Sequence, residues 1–86
     1  MYYVYVLKNP KNEAIYIGFS ADLRQRFRQH QANEHPGCEL AYYEAYRDEG
    51  EARLRERKLK QYGAALGHLK ARIRKSLGSQ ALERAG

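Results

Sequence analysis

The sequence predicts a mixed α/β (α+β) domain, and three observations lead there. Two runs rich in β-branched and aromatic residues, 2–7 and 14–19, flank Asn9-Pro10-Lys11-Asn12, which has the composition of a turn. Further along, apolar residues recur at the 3.6-residue spacing of amphipathic helices. With 86 residues, 43% hydrophobic and 30% charged, the chain is long enough for one thin-cored domain and too apolar to stay disordered. One domain over residues 1–78 is expected, with 79–86 as a frayed tail.

The first two strands, 2–7 and 14–19, read as an antiparallel hairpin. A turn centred between Pro10 and Lys11 sets Tyr5 opposite Tyr16. Period-2 alternation then puts Tyr3, Tyr5, Tyr16 and Gly18 on one face and Val4, Val6, Ile15 and Ile17 on the other. Ser20 can cap a helix that starts at Ala21 and runs to about residue 32, with Asp22 in its first turn and Leu23 and Phe27 as its buried stripe. Arg26 and His30, four apart, share a face bordering that stripe, while Arg24 and Arg28 point elsewhere. His35-Pro36-Gly37 breaks the chain, and 39–47, with Tyr42, Tyr43 and Tyr46, reads as a third strand. A second helix over 49–62 turns Ala52, Leu59 and Tyr62 inward, and Gly63 interrupts it. A third, over 64–77, buries Leu66, Leu69, Ile73 and Leu77, displays Lys70, Arg72, Arg74 and Lys75, and ends at Gly78.

Charge narrows the partners. Sixteen Lys and Arg against ten Asp and Glu give +6 and a pI near 9.6. Between Arg53 and Lys75 nine residues are basic and only Glu56 is acidic, so a polyanion is the expected partner, although such a run also suits a solubilising helix surface. Candidate nucleic-acid contacts are Arg24, Arg28, Arg53, Lys58, Lys60, Lys70 and Arg74. The single Cys38 excludes an intramolecular disulfide and has no zinc-ligand spacing with His30, His35 or His68, which suits a reducing cytoplasm. No apolar run approaches a membrane span and no export signal is read at the N-terminus, so neither a membrane nor a small-molecule cofactor is expected; oligomeric state is not legible.

On an ideal helix Glu56 lies about 40° from Ala52 and about 60° from Leu59, on the inward side. A carboxylate there serves either a salt bridge to a nearby Arg or a metal ion, since one carboxylate with phosphate and waters suffices for Mg²⁺. Tyr5 and Tyr16 taken singly suit sheet packing, Arg26 a surface charge and His30 the edge of a helix seam. Together with Glu56 they supply the groups that phosphodiester hydrolysis needs.

The segment Tyr3-Val4-Tyr5, eleven residues before Tyr16-Ile17-Gly18, resembles the two signature strands of the GIY-YIG nucleases. The resemblance continues through residues 22–30, with Arg26 ten and His30 fourteen residues after Tyr16, and through 51–60, where Glu56 matches the family's metal-binding glutamate. It spans about residues 2–75 and is nearest to small stand-alone bacterial members related to the N-terminal nuclease domain of the excinuclease subunit UvrC. It implies a three-stranded, mainly antiparallel sheet flanked by about three helices, and a DNA endonuclease that leaves a 5′-phosphate and a 3′-hydroxyl. It also implies one Mg²⁺ or Mn²⁺ on Glu56, transition-state neutralisation by Arg26, Tyr16 or Tyr5 as the group that orients and deprotonates water, and His30 as proton relay or buttress of Tyr5. Tyr3 stands in place of the first signature's glycine, Phe19 where relatives commonly have Thr or Lys, and His68 near the spacing of an asparagine found in larger members. Two other classes of function are a catalytically weak nucleic-acid-binding module and a basic face that docks an acidic protein.

Overall fold

Strand β1 (Tyr2–Lys8) and strand β2 (Ile15–Ser20) form the antiparallel hairpin in the computed structural model, which describes residues 1–78. Their register differs from the expected one, because Tyr5 lies opposite Gly18 and Tyr16 opposite Leu7. The reason is a longer turn. Asn9 and Ala14 close it through an Asn9 N–H to Ala14 O bond of 2.9 Å, and Glu13, at φ 63°, supplies the left-handed residue. The midpoint therefore falls between Lys11 and Asn12. A slip of two residues conserves the pleat, so the tyrosine face and the aliphatic face remain as expected.

Strand β3 (Glu39–Tyr46) pairs antiparallel with the free side of β1, giving a three-stranded sheet in the order β2-β1-β3. Its two faces bury different groups. Val4, Val6 and Ile17 pack with Ala52, Leu59 and Leu69 from the second and third helices and with Ile73 and Leu77 from the turns that follow. On the opposite face Tyr5, Leu7 and Cys38 pack with Tyr16, Leu23, Phe27 and Leu40.

Helix α1 (Leu23–Gln29) starts later than expected because Ser20 still belongs to β2. Asp22, placed by the sequence reading in the first turn, is instead the cap; its side chain accepts the Gln25 N–H at 3.1 Å. The helix does not run on to residue 32. It widens at His30–Glu34 into a π-helical turn closed by a bond of 2.6 Å from the His35 N–H to the His30 carbonyl.

Helix α2 (Glu49–Gln61) is capped by Asp48, with Glu49 and Glu51 in its first turn and Lys58 and Lys60 in its last, as the helix dipole favours. Tyr62 follows in an extended conformation and is 59% exposed, against the inward placement expected, because the helical period stops one residue before it. Helix α3 (Gly63–Arg72) is shorter than the expected span to 77. Successive turns continue to Gly78 and keep Ile73 and Leu77 buried, while Leu66 is half-buried. Gly78, expected to end the helix, lies six residues beyond its last residue and adopts a left-handed φ of 80°. The expected frayed tail lies outside the described residues, and among the latter no helix is long and apolar enough to cross a membrane.

Candidate active site

Tyr5 occupies the middle of β1 and is 1% exposed. Its ring lies across Gly18 on the neighbouring strand, where a Cβ would sit 2.4 Å from Tyr5 Cζ and Oη. The glycine of the second signature strand is thus the space the tyrosine needs. The Tyr5 hydroxyl and His30 Nε2 share a hydrogen bond of 2.8 Å, and Tyr16 joins them, its ring centroid 6.4 Å from that of Tyr5 and 5.0 Å from that of His30.

Electrostatics tie the remaining groups to this point. The Tyr5 hydroxyl is pushed up to about 12, by burial first and by Tyr16 next; Arg26 works against the shift through its charge and hydrogen bonding, and Glu56 adds to it. His30 is fully buried, and burial followed by the charge of Arg26 lowers its pKa against the pull of Glu34, so its imidazole is neutral at pH 7. Its Nδ1 comes within 2.9 Å of Glu34 Oε1 but out of line for a hydrogen bond, which leaves Nδ1 without a hydrogen-bond partner among the described residues.

Arg26, one turn before His30 on α1, donates from Nη1 to Gln29 Oε1 at 3.0 Å and pairs through Nη2 with Glu34 at 3.2 Å. Burial alone would weaken its proton affinity, but Glu34, Tyr5 and Tyr16 outweigh burial and keep the guanidinium charged.

Glu56 projects from α2 with its side chain 21% exposed. The salt bridge it forms is to Lys60, at 3.1 Å and one turn on, and not to an arginine. The same Lys60 Nζ stands 5.7 Å from the Tyr16 ring centroid, so the lysine spans the gap between carboxylate and tyrosine. A cleft of about 270 Å³ opens here, lined by Arg53, Glu56, Arg57, Lys60 and Gln61. Glu56 belongs to no group of three potential metal ligands among the described residues. It is a lone, half-buried carboxylate in a basic cleft, a donor set that fits a hard divalent ion whose other positions are filled by phosphate and water.

The expected nucleic-acid contacts divide into several places. Arg53 and Lys60 flank Glu56, and Arg57 joins them although it was absent from the candidate set; its spacing of four from Arg53 and three from Lys60 was the available signal. Lys58, two residues past Glu56, lies about 200° around the helix, away from the cleft. Arg24 borders a separate groove of about 510 Å³ beside Tyr3 and Tyr43, and Arg28 is exposed on α1. Lys70 lines another crevice with Lys8 and Glu13 near the hairpin turn, and Arg74 is exposed in the turns after α3. Phe19 stacks on Tyr2 at 6.2 Å and carries the Arg53 guanidinium 4.2 Å above its ring, so this departure from the family pattern forms an aromatic shelf that holds a cation. His68 is exposed on α3.

Sequence reading missed two further groups. Glu34 and His35 enter the site only because the π-helical turn brings them beside His30. Glu44 on β3 accepts hydrogen bonds from Tyr42, Tyr46 and Arg55, and nothing local marks it as a hub.

No curated protein and no solved structure matches the chain, but the family model of the GIY-YIG catalytic domain matches residues 1–67. That span holds both signature strands, Arg26, His30 and Glu56, and on this footing the chain belongs to the GIY-YIG nuclease family.

Proposed function

We propose that this protein is a divalent-metal-dependent endonuclease that hydrolyses DNA phosphodiester bonds. Within that reading it is a relative of the UvrC nuclease domain, selects substrate by DNA structure, and works in repair or processing in the cytoplasm. The reading rests above all on one observation: Tyr5, Tyr16 and His30 pack together with the Tyr5 hydroxyl bonded to His30, and Lys60 spans from the Tyr16 ring to the lone Glu56 carboxylate, which faces a basic cleft.

Glu56 would hold one Mg²⁺ or Mn²⁺, which when bound polarises the phosphate and stabilises the leaving oxygen. Arg53, Arg57 and Lys60 border the cleft and supply the positive field that draws a phosphate towards Glu56. Tyr5 is unsuited to be the base, because its hydroxyl is buried, already bonded to His30 and pushed up to about 12. Tyr16, half-buried and next to Lys60, is the better placed oxygen to orient water and, as the phenolate, to take its proton as the water oxygen bonds to phosphorus and the P–O3′ bond breaks; the departing O3′ takes a proton from solvent to become the 3′-hydroxyl. Tyr5 and His30 then serve to fix the Tyr16 ring from behind. Arg26, released from Glu34, neutralises charge on the phosphoryl oxygens as they crowd.

The direct test incubates purified protein with branched, nicked, single-stranded and duplex DNA, and with RNA, with and without Mg²⁺ or Mn²⁺. Metal-dependent cutting that disappears in Glu56→Ala, with the fold unchanged, is expected. Identical products at identical rates from wild type and Glu56→Ala would assign the activity elsewhere. One observation favours the binding-module reading: Arg26 and Glu56 are each engaged by an opposite charge, Glu34 and Lys60. That alternative predicts steep salt dependence, about 0.9 log units per log unit of salt for each phosphate contacted, without scission.

A further inference from the structure

We propose that His30, Glu34 and His35 form a second metal site, suited to a borderline ion such as Zn²⁺ or Co²⁺ rather than to Mg²⁺. One ligand atom from each residue lies within 4.8 Å of the other two. The backbone creates this grouping. At 3.6 residues per turn, residue 35 would point about 140° away from residue 30. The bond from the His35 N–H to the His30 carbonyl widens the turn and returns residue 35 to the same side, so that the two rings lie 5.1 Å apart between centroids.

A second observation points to a ligand. His30 is fully buried, yet its Nδ1 has no hydrogen-bond partner and stands 2.9 Å from Glu34 Oε1. Buried ring nitrogens are seldom left in this state. Tetrahedral zinc with ligands near 2.0–2.1 Å sets neighbouring donor atoms about 3.3 Å apart. The Nδ1–Oε1 pair is already near that spacing, and the half-buried His35 has to close in by side-chain rotation. Two imidazoles and one carboxylate with a fourth position left for water are a donor set that zinc accepts, whereas Mg²⁺ prefers oxygen alone.

The surroundings fit the tautomer that such an ion imposes. With Nδ1 on the metal, Nε2 carries the proton and donates to the Tyr5 oxygen 2.8 Å away, as the second nitrogen of a ligating histidine commonly does. Arg26 opposes the ion, since it binds the same Glu34 oxygen at 3.2 Å and its charge repels a cation. Loading therefore detaches Arg26 from Glu34.

The inference does not depend on the nuclease reading, because its test measures metal binding and not cleavage. Untagged full-length protein, stripped of metal, is titrated with Co²⁺ by visible absorption and with Zn²⁺ by calorimetry. One equivalent is expected to bind in excess Mg²⁺, with the ligand-field bands of a nitrogen-ligated ion of low coordination number. Glu34→Gln and His35→Ala, which alter side chains outside the core, should each weaken binding by roughly tenfold or more. Glu56→Gln should leave it unchanged, and Arg26→Gln should tighten it. Wild-type affinity in Glu34→Gln and His35→Ala, or loss of the site in Glu56→Gln, would overturn the proposal.

Discussion

Two polar clusters in this fold are assembled from nearly the same parts. On one side of the sheet Glu44 meets Tyr42, Tyr46 and Arg55; elsewhere Glu56 shares a locale with Tyr5, Tyr16 and Arg26. The side chains of the two glutamates are similarly accessible, 14% for Glu44 and 21% for Glu56, so exposure does not separate them. Bonding does. Glu44 accepts from Tyr42 at 2.8 Å, from Tyr46 at 2.6 Å, and from Arg55 through both Nε and Nη2, which occupies both of its oxygens. Burial pushes its carboxyl up, but these bonds, led by that from Arg55, outweigh burial and hold it below the usual carboxylate range. Glu56 has the flexible ammonium of Lys60 and an open cleft. Of two carboxylates with like neighbours, the one with bonding capacity to spare is the one able to take a ligand; the other is a structural tie between β3 and α2.

The comparison is sharpened most by paired substitutions. Glu56→Gln should cut the rate of DNA cleavage by at least ~100-fold, the scale on which removing one transition-state contact acts, while Glu44→Gln should change it only a few-fold. Equal losses in single-turnover assays would break the distinction. Gly18→Ala tests the packing of the open cluster, since its Cβ would sit 2.4 Å from the Tyr5 ring. A destabilisation of about 1–3 kcal/mol in urea unfolding, with loss of the near-UV tyrosine signal, is expected. An unaltered signal would show that the ring does not need that space.

Glu44→Gln should cost about 2 kcal/mol by the same measurement, because it removes charge-assisted hydrogen bonds and leaves two hydroxyls and a guanidinium under-used. The two clusters should also separate by pH. His30 has a folded pKa below its ordinary 6.5, so the unfolded chain takes up the proton first; its contribution is complete above pH 6.5 and declines as pH falls below it. Glu44 is likewise lowered, from 4.5, so its contribution is complete above pH 4.5 and is lost under more acid conditions. Stability curves for Glu44→Gln should lose the acid step and keep the one that begins near 6.5. The smallest effect is expected for Arg53→Ala, which removes the cation from above Phe19 and an exposed pair with Glu49, for less than about 1 kcal/mol of stability. If Arg53 touches a phosphate, the same variant lowers the salt slope of DNA binding by about 0.9.

Much of the site could be read before folding because its residues follow local periods. The division of Tyr3, Tyr5, Tyr16 and Gly18 from Val4, Val6, Ile15 and Ile17 survived a register error of two residues, since a shift of two leaves every side chain on its own face. The inward angle of Glu56 followed from the helical repeat shared with Ala52 and Leu59, both now in the core. Ser20, Tyr62 and the end of α3 were misread at element boundaries, where one backbone dihedral outweighs any periodic pattern.

The amino-acid order alone determined the family signature, the faces of the strands and most of the aliphatic core; the last two depend on neighbours within one or two turns of chain, whereas the second core of Tyr5, Leu7 and Cys38 was not legible there. Tertiary structure alone decided which glutamate is tied down and which lies in the cleft, because Arg55 reaches Glu44 across eleven residues and Tyr5 meets His30 across twenty-five. It also decided the π-helical turn that gathers His30, Glu34 and His35. Partner choice between distant groups follows from how the sheet and helices dock, and local propensity carries no record of that.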